Sequence, residues 1–195
     1  MDMRLLASAA AFLALTVTAI AGPPVPRKSP EFVITDPSGK PVPISSFKGK
    51  IVVMPLMFTT CPHCQREAQM LTKLQKEFSA RGVVMQGTVF NNANGAMASQ
   101  FVKEFNIGFP VGFNTRDQVV GYLGLSVMDR WVVPQVVIID KTGTIVAQSA
   151  AEGTPDLQDE AYIRNFLEKL LKGTAAAPAK TSSTAPAPKT VAKTN

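Results

Sequence analysis

The pattern of apolar and polar residues changes its period several times between residues 30 and 172. The run Ile51-Val52-Val53-Met54-Pro55-Leu56-Met57-Phe58 is apolar throughout, with the length and composition of a buried strand. Thr59, Thr60 and then Cys61-Pro62-His63-Cys64 follow. Beyond them Ala68, Leu71, Leu74 and Phe78 recur every three or four residues, which predicts a helix reaching Arg81 with those four on one face. The stretch therefore reads strand, tight loop, helix, with the cysteine pair at the helix N-terminus.

The remaining elements follow in order. Residues 30–35 predict a strand, 36–39 a turn by composition, and 40–44 a returning strand whose prolines suit a sheet edge. Residues 83–90 predict another strand and 91–95 a loop. A helix over 96–105 would align Met97, Phe101 and Phe105. Residues 109–113 form a short strand, and 115–123 a short helix that Thr115 and Gln118 suit as a capping box. The run 132–140, entered through Pro134, pairs back through a turn at 141–143 onto 144–147. A final helix over 155–172 would turn Tyr162, Phe166, Leu167 and Leu170 inward. Strands alternating with helices and ending in a hairpin predict an α/β fold, a central mixed sheet flanked by helices. Met54, Met57, Met70, Met85 and Met97 read as core.

Both ends depart from this pattern. Residues 1–21 combine a short start carrying Arg4, an apolar run over 5–20 and a small-x-small site at Ala19-Ile20-Ala21, the layout of a secretory signal cleaved after Ala21. The run is shorter than the roughly 20 residues that span a bilayer; left uncleaved, it would serve as a membrane tether. Residues 173–195 are almost entirely Ala, Pro, Lys, Thr and Ser, too poor in apolar surface to offset the entropy of ordering, and read as a disordered tail. Residues 22–172 are one ordinary domain. Of the net charge of +6, half belongs to the tail lysines Lys180, Lys189 and Lys193. The domain's own cations are scattered, which argues against a nucleic-acid partner.

The two cysteines of the chain both lie in the one CxxC. Pro62 suits the first helical position, and Cys61 then sits where free helix N–H groups and the macrodipole favour a thiolate. Cys64, three residues on, shares a face with Cys61 within disulfide range. One sulfur can attack a partner's disulfide and the other resolve the mixed intermediate. Zinc binding is the weaker reading, because the chain offers one histidine and no second ligand pair. An inert structural disulfide is the other alternative. No cofactor or metal is called for.

The strand followed by Cys61-Pro62-His63-Cys64, Glu67 three residues past Cys64, Val133-Pro134 opening the last hairpin and the inserted strand–helix segment between Val83 and Leu125 together resemble a known group. The chain looks like a thioredoxin-like fold of the exported TlpA/ResA-like thiol-disulfide oxidoreductases, within the redoxin (AhpC-TSA) superfamily, over about three quarters of its length. The resemblance implies that Glu67 is an active-site carboxylate and Pro134 a cis-proline. Val133 and Pro134 would then line a substrate groove, with Trp131 either lining it or packing behind it. It implies cysteine-containing protein substrates, a redox partner protein and a periplasmic or secreted location. Two departures stand out. Thioredoxin proper carries a buried acid where this chain has Pro55, which leaves Glu67 as the nearby proton-transfer group. The Pro62-His63 dipeptide is that of the oxidant DsbA, whose larger helical insertion the chain lacks.

On this reading Cys61 is the nucleophile, Cys64 resolves through the redox-active Cys61–Cys64 disulfide, and Glu67 exchanges protons with Cys64. Pro62 and His63 tune the potential, a protonated His63 adding to the helix N-terminus in favour of the Cys61 thiolate. Thioredoxin and DsbA lie about 150 mV apart, or about 7 kcal/mol, enough to reverse the direction of electron flow. Two alternatives differ in kind. A peroxiredoxin-like peroxidase would show PxxxTxxC, and Pro55, Thr59 and Cys61 are one residue short of it. A copper-handling module of the Sco type would use CxxxC and a distant histidine, neither of which is here.

Overall fold

The computed structural model describes residues 22–126, 128 and 130–173. The signal read over 1–21 and the tail beyond Gly173 lie outside them. Nine strands and four α-helices are described, in the order β1 (Arg27–Lys28), β2 (Val33–Thr35), β3 (Pro41–Pro43), β4 (Ile51–Met57), α1 (Pro62–Phe78), β5 (Val83–Met85), β6 (Gly87–Val89), α2 (Gly95–Glu104), β7 (Val111–Phe113), α3 (Arg116–Leu123), β8 (Gln135–Ile139), β9 (Thr144–Gln148) and α4 (Glu160–Leu171). The strands form one mixed sheet in the order β1-β9-β8-β4-β6-β7-β2-β3, with β5 also on β4. β4 runs parallel to β5 and β6 and antiparallel to β8. This is the thioredoxin-like α/β architecture expected from the sequence, with the proline-bearing β3 at an edge.

β4 is apolar throughout because both sheet faces are covered. Ile51, Val53 and Met57 join Val136 and Ile138 in a core closed by α1, α2 and α4. Val52, Met54 and Leu56 face the other way with Val137 and Ile139, under Val119, Val120 and Leu123 of α3. On α1, Ala68, Leu71, Leu74 and Phe78 are all fully buried. Burying a Leu or Phe side chain stabilises by about 1.5–3 kcal/mol, so this face is what docks the helix.

The structure departs from the sequence expectation at the second half of the 83–90 strand, at the start of the last helix, in which side chains reach the core and at β1. The strand over 83–90 is interrupted at Gln86. Ile51 N donates to Gly82 O at 3.0 Å, and Gln86 N and Phe90 N donate to Val53 O and Met57 O at 3.0 and 3.1 Å. Pro55 falls in this odd-numbered series, lacks an N–H, and so leaves a gap in the ladder opposite Gln86. The last helix does not begin at Pro155. Residues 155–158 form a 3₁₀ turn, and Asp159 in extended conformation restarts the chain, its carboxylate accepting from Tyr162 N at 2.7 Å as the cap of α4. Ile163, Phe166 and Leu167 are buried, while Tyr162 and Leu170 sit at the core margin. Met70 and Met97 are likewise only partly covered, unlike the fully buried Met54, Met57 and Met85. Finally, β1 pairs with β9, and a dipeptide carries no alternation by which a sequence could reveal it. The capping box of α3, between Thr115 and Gln118, is present.

Candidate active site

The site lies where β4 ends and α1 begins. Cys61 is the N-cap residue of α1, and Pro62 occupies the first turn, where its missing N–H leaves no bond unmade. Gln65 N donates to Cys61 O at 3.1 Å, closing that turn. The preceding loop is clamped at Thr59. Its N–H donates to Asn91 Oδ1 at 3.1 Å, its hydroxyl accepts from Asn91 Nδ2 at 3.0 Å, and its carbonyl accepts from Gln65 Nε2 at 3.0 Å.

The two cysteines, both free thiols here, differ sharply in environment. Cys61 is half-buried, whereas Cys64 is fully buried. Burial pushes the Cys64 thiol far above the ordinary range, and proximity to Cys61 and Glu67 adds to the rise against a hydrogen bond from the Phe58 backbone. Cys64 therefore needs a base before it can act as a nucleophile.

Glu67 lies close by on the same helix. It is 4% exposed and the one buried carboxylate among the described residues. Burial pushes its carboxyl up to about 8, and Oε1 has no hydrogen-bond partner. A group so placed takes up or releases a proton near neutral pH. The same spacing that buries Leu71 and Leu74 puts Glu67 on the inner face of α1, four and seven residues before them.

Val133-Pro134 is a cis peptide bond. It faces the cysteines from the start of β8, and the Cys61 thiol lies 3.8 Å from Val133 O. Pro134 is buried and Val133 half-buried. Trp131 packs behind this loop, edge-on to Phe58 at 6.2 Å and tilted on Phe90 at 5.8 Å. The Arg116 guanidinium covers its ring at 4.9 Å.

His63 is exposed, and Arg66 Nη2 lies 3.0 Å from its Nδ1. Arginine only donates, so Nδ1 is the acceptor in this contact. The Arg66 guanidinium thereby brings a second basic side chain to the first turn of α1.

Sequence reasoning missed Asn91, Arg66 and Gln135. Asn91 reads as one polar loop residue among several. Gln135 left a trace, being the one polar residue inside an apolar strand. A cleft of about 400 Å³ lined by Thr59, Thr60, Gln65, Gln100, Glu104 and Phe105 opens beside the cysteine loop. Among the described residues no cluster of His, Cys, Asp and Glu could hold a metal, and no helix is long and apolar enough to cross a membrane.

Comparison with known proteins agrees with this geometry. Residues 25–148 match the model of the AhpC/TSA family. The thiol-disulfide oxidoreductase ResA of Bacillus thuringiensis strain Al Hakam is 27% identical over 140 residues, covering 72% of this chain and 77% of the relative. ResA of Bacillus subtilis strain 168 is 29% identical over 145 residues, 74% of this chain and 75% of the relative. Among solved structures, a thiol:disulfide interchange protein of the thioredoxin family from Chlorobium tepidum superposes with a TM-score of 0.59 at 23% identity, over 76% of this chain and 99% of the other.

Proposed function

The chain belongs to the AhpC/TSA family, and on that premise we propose that it is a thiol-disulfide oxidoreductase that exchanges disulfides with protein cysteines through Cys61 and Cys64. One observation carries the reading: a half-exposed thiol at a helix N-cap stands beside a buried thiol and a buried, uncompensated carboxylate.

In the reducing direction the Cys61 thiolate attacks one sulfur of a substrate disulfide. A Cys61–substrate bond forms, the substrate S–S bond breaks, and the second substrate sulfur leaves as a thiolate that takes a proton. Glu67 as carboxylate then removes the proton of Cys64. The Cys64 thiolate attacks Cys61 Sγ, closing the Cys61–Cys64 disulfide and releasing the remaining substrate thiolate. Two electrons pass from the protein dithiol to the substrate disulfide. Each step reverses, and the partner's potential sets the direction. Val133, with its backbone beside Cys61, is where the substrate chain lies; Trp131 supports that loop from behind.

The reading extends to location. Residues 1–21 act as a secretory leader, 22–172 as the redox domain and 173–195 as a tail, with the protein working in the periplasm or outside the cell against a redox partner protein. The leader's layout and the pairing of both cysteines in one motif support this.

The test is redox equilibration in glutathione buffers of known ratio, followed by insulin reduction with the reduced protein. The reading expects one two-electron transition and loss of two thiols per insulin disulfide cleaved. Thiols that stay free across all ratios, or that are consumed by hydrogen peroxide but not by insulin, would refute it.

A further inference from the structure

Residues 132–139 are apolar except at Pro134 and Gln135, and the Gln135 amide is wholly buried. Its Nε2 lies 2.8 Å from Val132 O, 3.1 Å from Ala150 O and 3.3 Å from Ala151 O. An amide nitrogen carries two hydrogens, so three carbonyls share them. The acceptors differ in what else they hold. Ala150 O also accepts from Gly153 N at 2.8 Å, and Ala151 O from Val132 N at 2.9 Å. Val132 O, by contrast, is held by Gln135.

The other end of the amide shows what this arrangement sacrifices. Gln135 Oε1 is buried without a partner. A residue kept only to fill the core would be apolar and would leave no acceptor orphaned. What the amide nitrogen fixes is the segment immediately before the cis-proline. The next carbonyl along, that of Val133, lies 3.8 Å from Cys61 Sγ.

We propose that Gln135 is a positioning residue for disulfide exchange, holding the Val132–Val133 backbone at the distance from Cys61 that an incoming polypeptide requires. The inference rests on the exchange reading of Cys61 and adds to it a residue that acts through the backbone. Its hydrogen bonds go to carbonyls, none to a sulfur. A polypeptide substrate must lay its own backbone along Val133, whereas a small disulfide needs only the sulfur of Cys61.

The two substrate types therefore separate positioning from general damage. Gln135→Met keeps the length and removes the amide. Its KM for insulin is expected to rise about tenfold, with the rate toward the small aromatic disulfide DTNB within about twofold of wild type. Gln135→Asn keeps the amide but is one methylene too short to reach Val132 O, and should show the same split; it carries the comparison if Gln135→Met does not fold. Equal losses on both substrates, or no loss on either, would overturn the inference while leaving the exchange reading standing. A wild-type protein that reduced neither disulfide would overturn the exchange reading and this inference with it.

Discussion

The two ends of β8 treat polar groups in opposite ways. At its far end the chain turns through Asp140, whose Oδ1 accepts from Thr142 N at 2.8 Å, Thr142 Oγ1 at 2.7 Å and Thr144 N at 2.9 Å. Burial acts to raise this carboxyl, but the hydrogen bonds from Thr142 and Thr144 outweigh it and hold it below the ordinary aspartate range. At the near end, Glu67 and Gln135 each bury an oxygen with no partner, and Cys64 buries a thiol. The first end is a locked anion that shapes a hairpin. The second keeps a carboxyl poised near neutrality beside a buried thiol, as the proposed proton transfer requires. A fold closes its polar groups where only shape matters and leaves them open where a proton has to move.

Cys61→Ser attacks the reactive end directly. Insulin reduction should fall to background with the fold retained, and any residual turnover would remove Cys61 as the nucleophile.

Glu67→Gln comes next. General-base assistance contributes about 100-fold or more, so closure of the mixed disulfide by Cys64, followed by stopped flow, should slow by about that factor at pH 9. The wild-type rate should show an inflection near pH 8 that the variant lacks, the variant's rate following only the ionisation of Cys64 by hydroxide. Stability moves the opposite way. The folded protein holds the Glu67 proton up to about pH 8, against an ordinary value of 4.5. Stability is therefore fully present below 4.5, declines from there to about 8, and stays low above. With about 1.4 kcal/mol per tenfold change in proton affinity, the loss is on the order of 5 kcal/mol. Denaturant melts at pH 9 should find Glu67→Gln more stable than wild type. A variant less stable there would mean that the carboxylate has a hidden partner.

Asp140→Ala reverses the pattern. Losing the turn's acceptor should cost about 1–2 kcal/mol in a denaturant melt and leave the rate of insulin reduction unchanged. Altered exchange kinetics would couple two ends that the contrast keeps separate.

Arg66→Ala should have the smallest effect. Arg66 and His63 are both exposed, so solvent screens the charge, and the Cys61–Cys64 potential should move by no more than about 30 mV. A larger shift in glutathione titration would make this exposed pair a principal determinant of the potential.

Legibility in the sequence followed the range of the forces involved. The strand–loop–helix unit, the capping box at Thr115 and the unbroken apolar run of β4 are local patterns, and all three are present. The break at Gln86 was visible only by pairing Pro55 with a strand some thirty residues away. Asp159 is a strong capping residue that the continuous pattern of the last helix concealed. At the site, Cys61 and Cys64 announce themselves, and Glu67 lay within the helical stripe that already placed Leu71 and Leu74. Asn91 and Gln135 act on the backbone of residues distant in sequence or across a loop, and no spacing rule reaches them. The Arg66–His63 contact, three residues apart on the exposed face of the helix, carries no apolar signature that would mark it.

The most direct test is a single-turnover reaction of reduced Cys64→Ser with an oxidised protein substrate, followed by intact-mass analysis. The account predicts a long-lived one-to-one mixed disulfide at Cys61, released by added dithiothreitol, with no such adduct from Cys61→Ser. An adduct formed by Cys61→Ser through Cys64, or none from either variant, would contradict it.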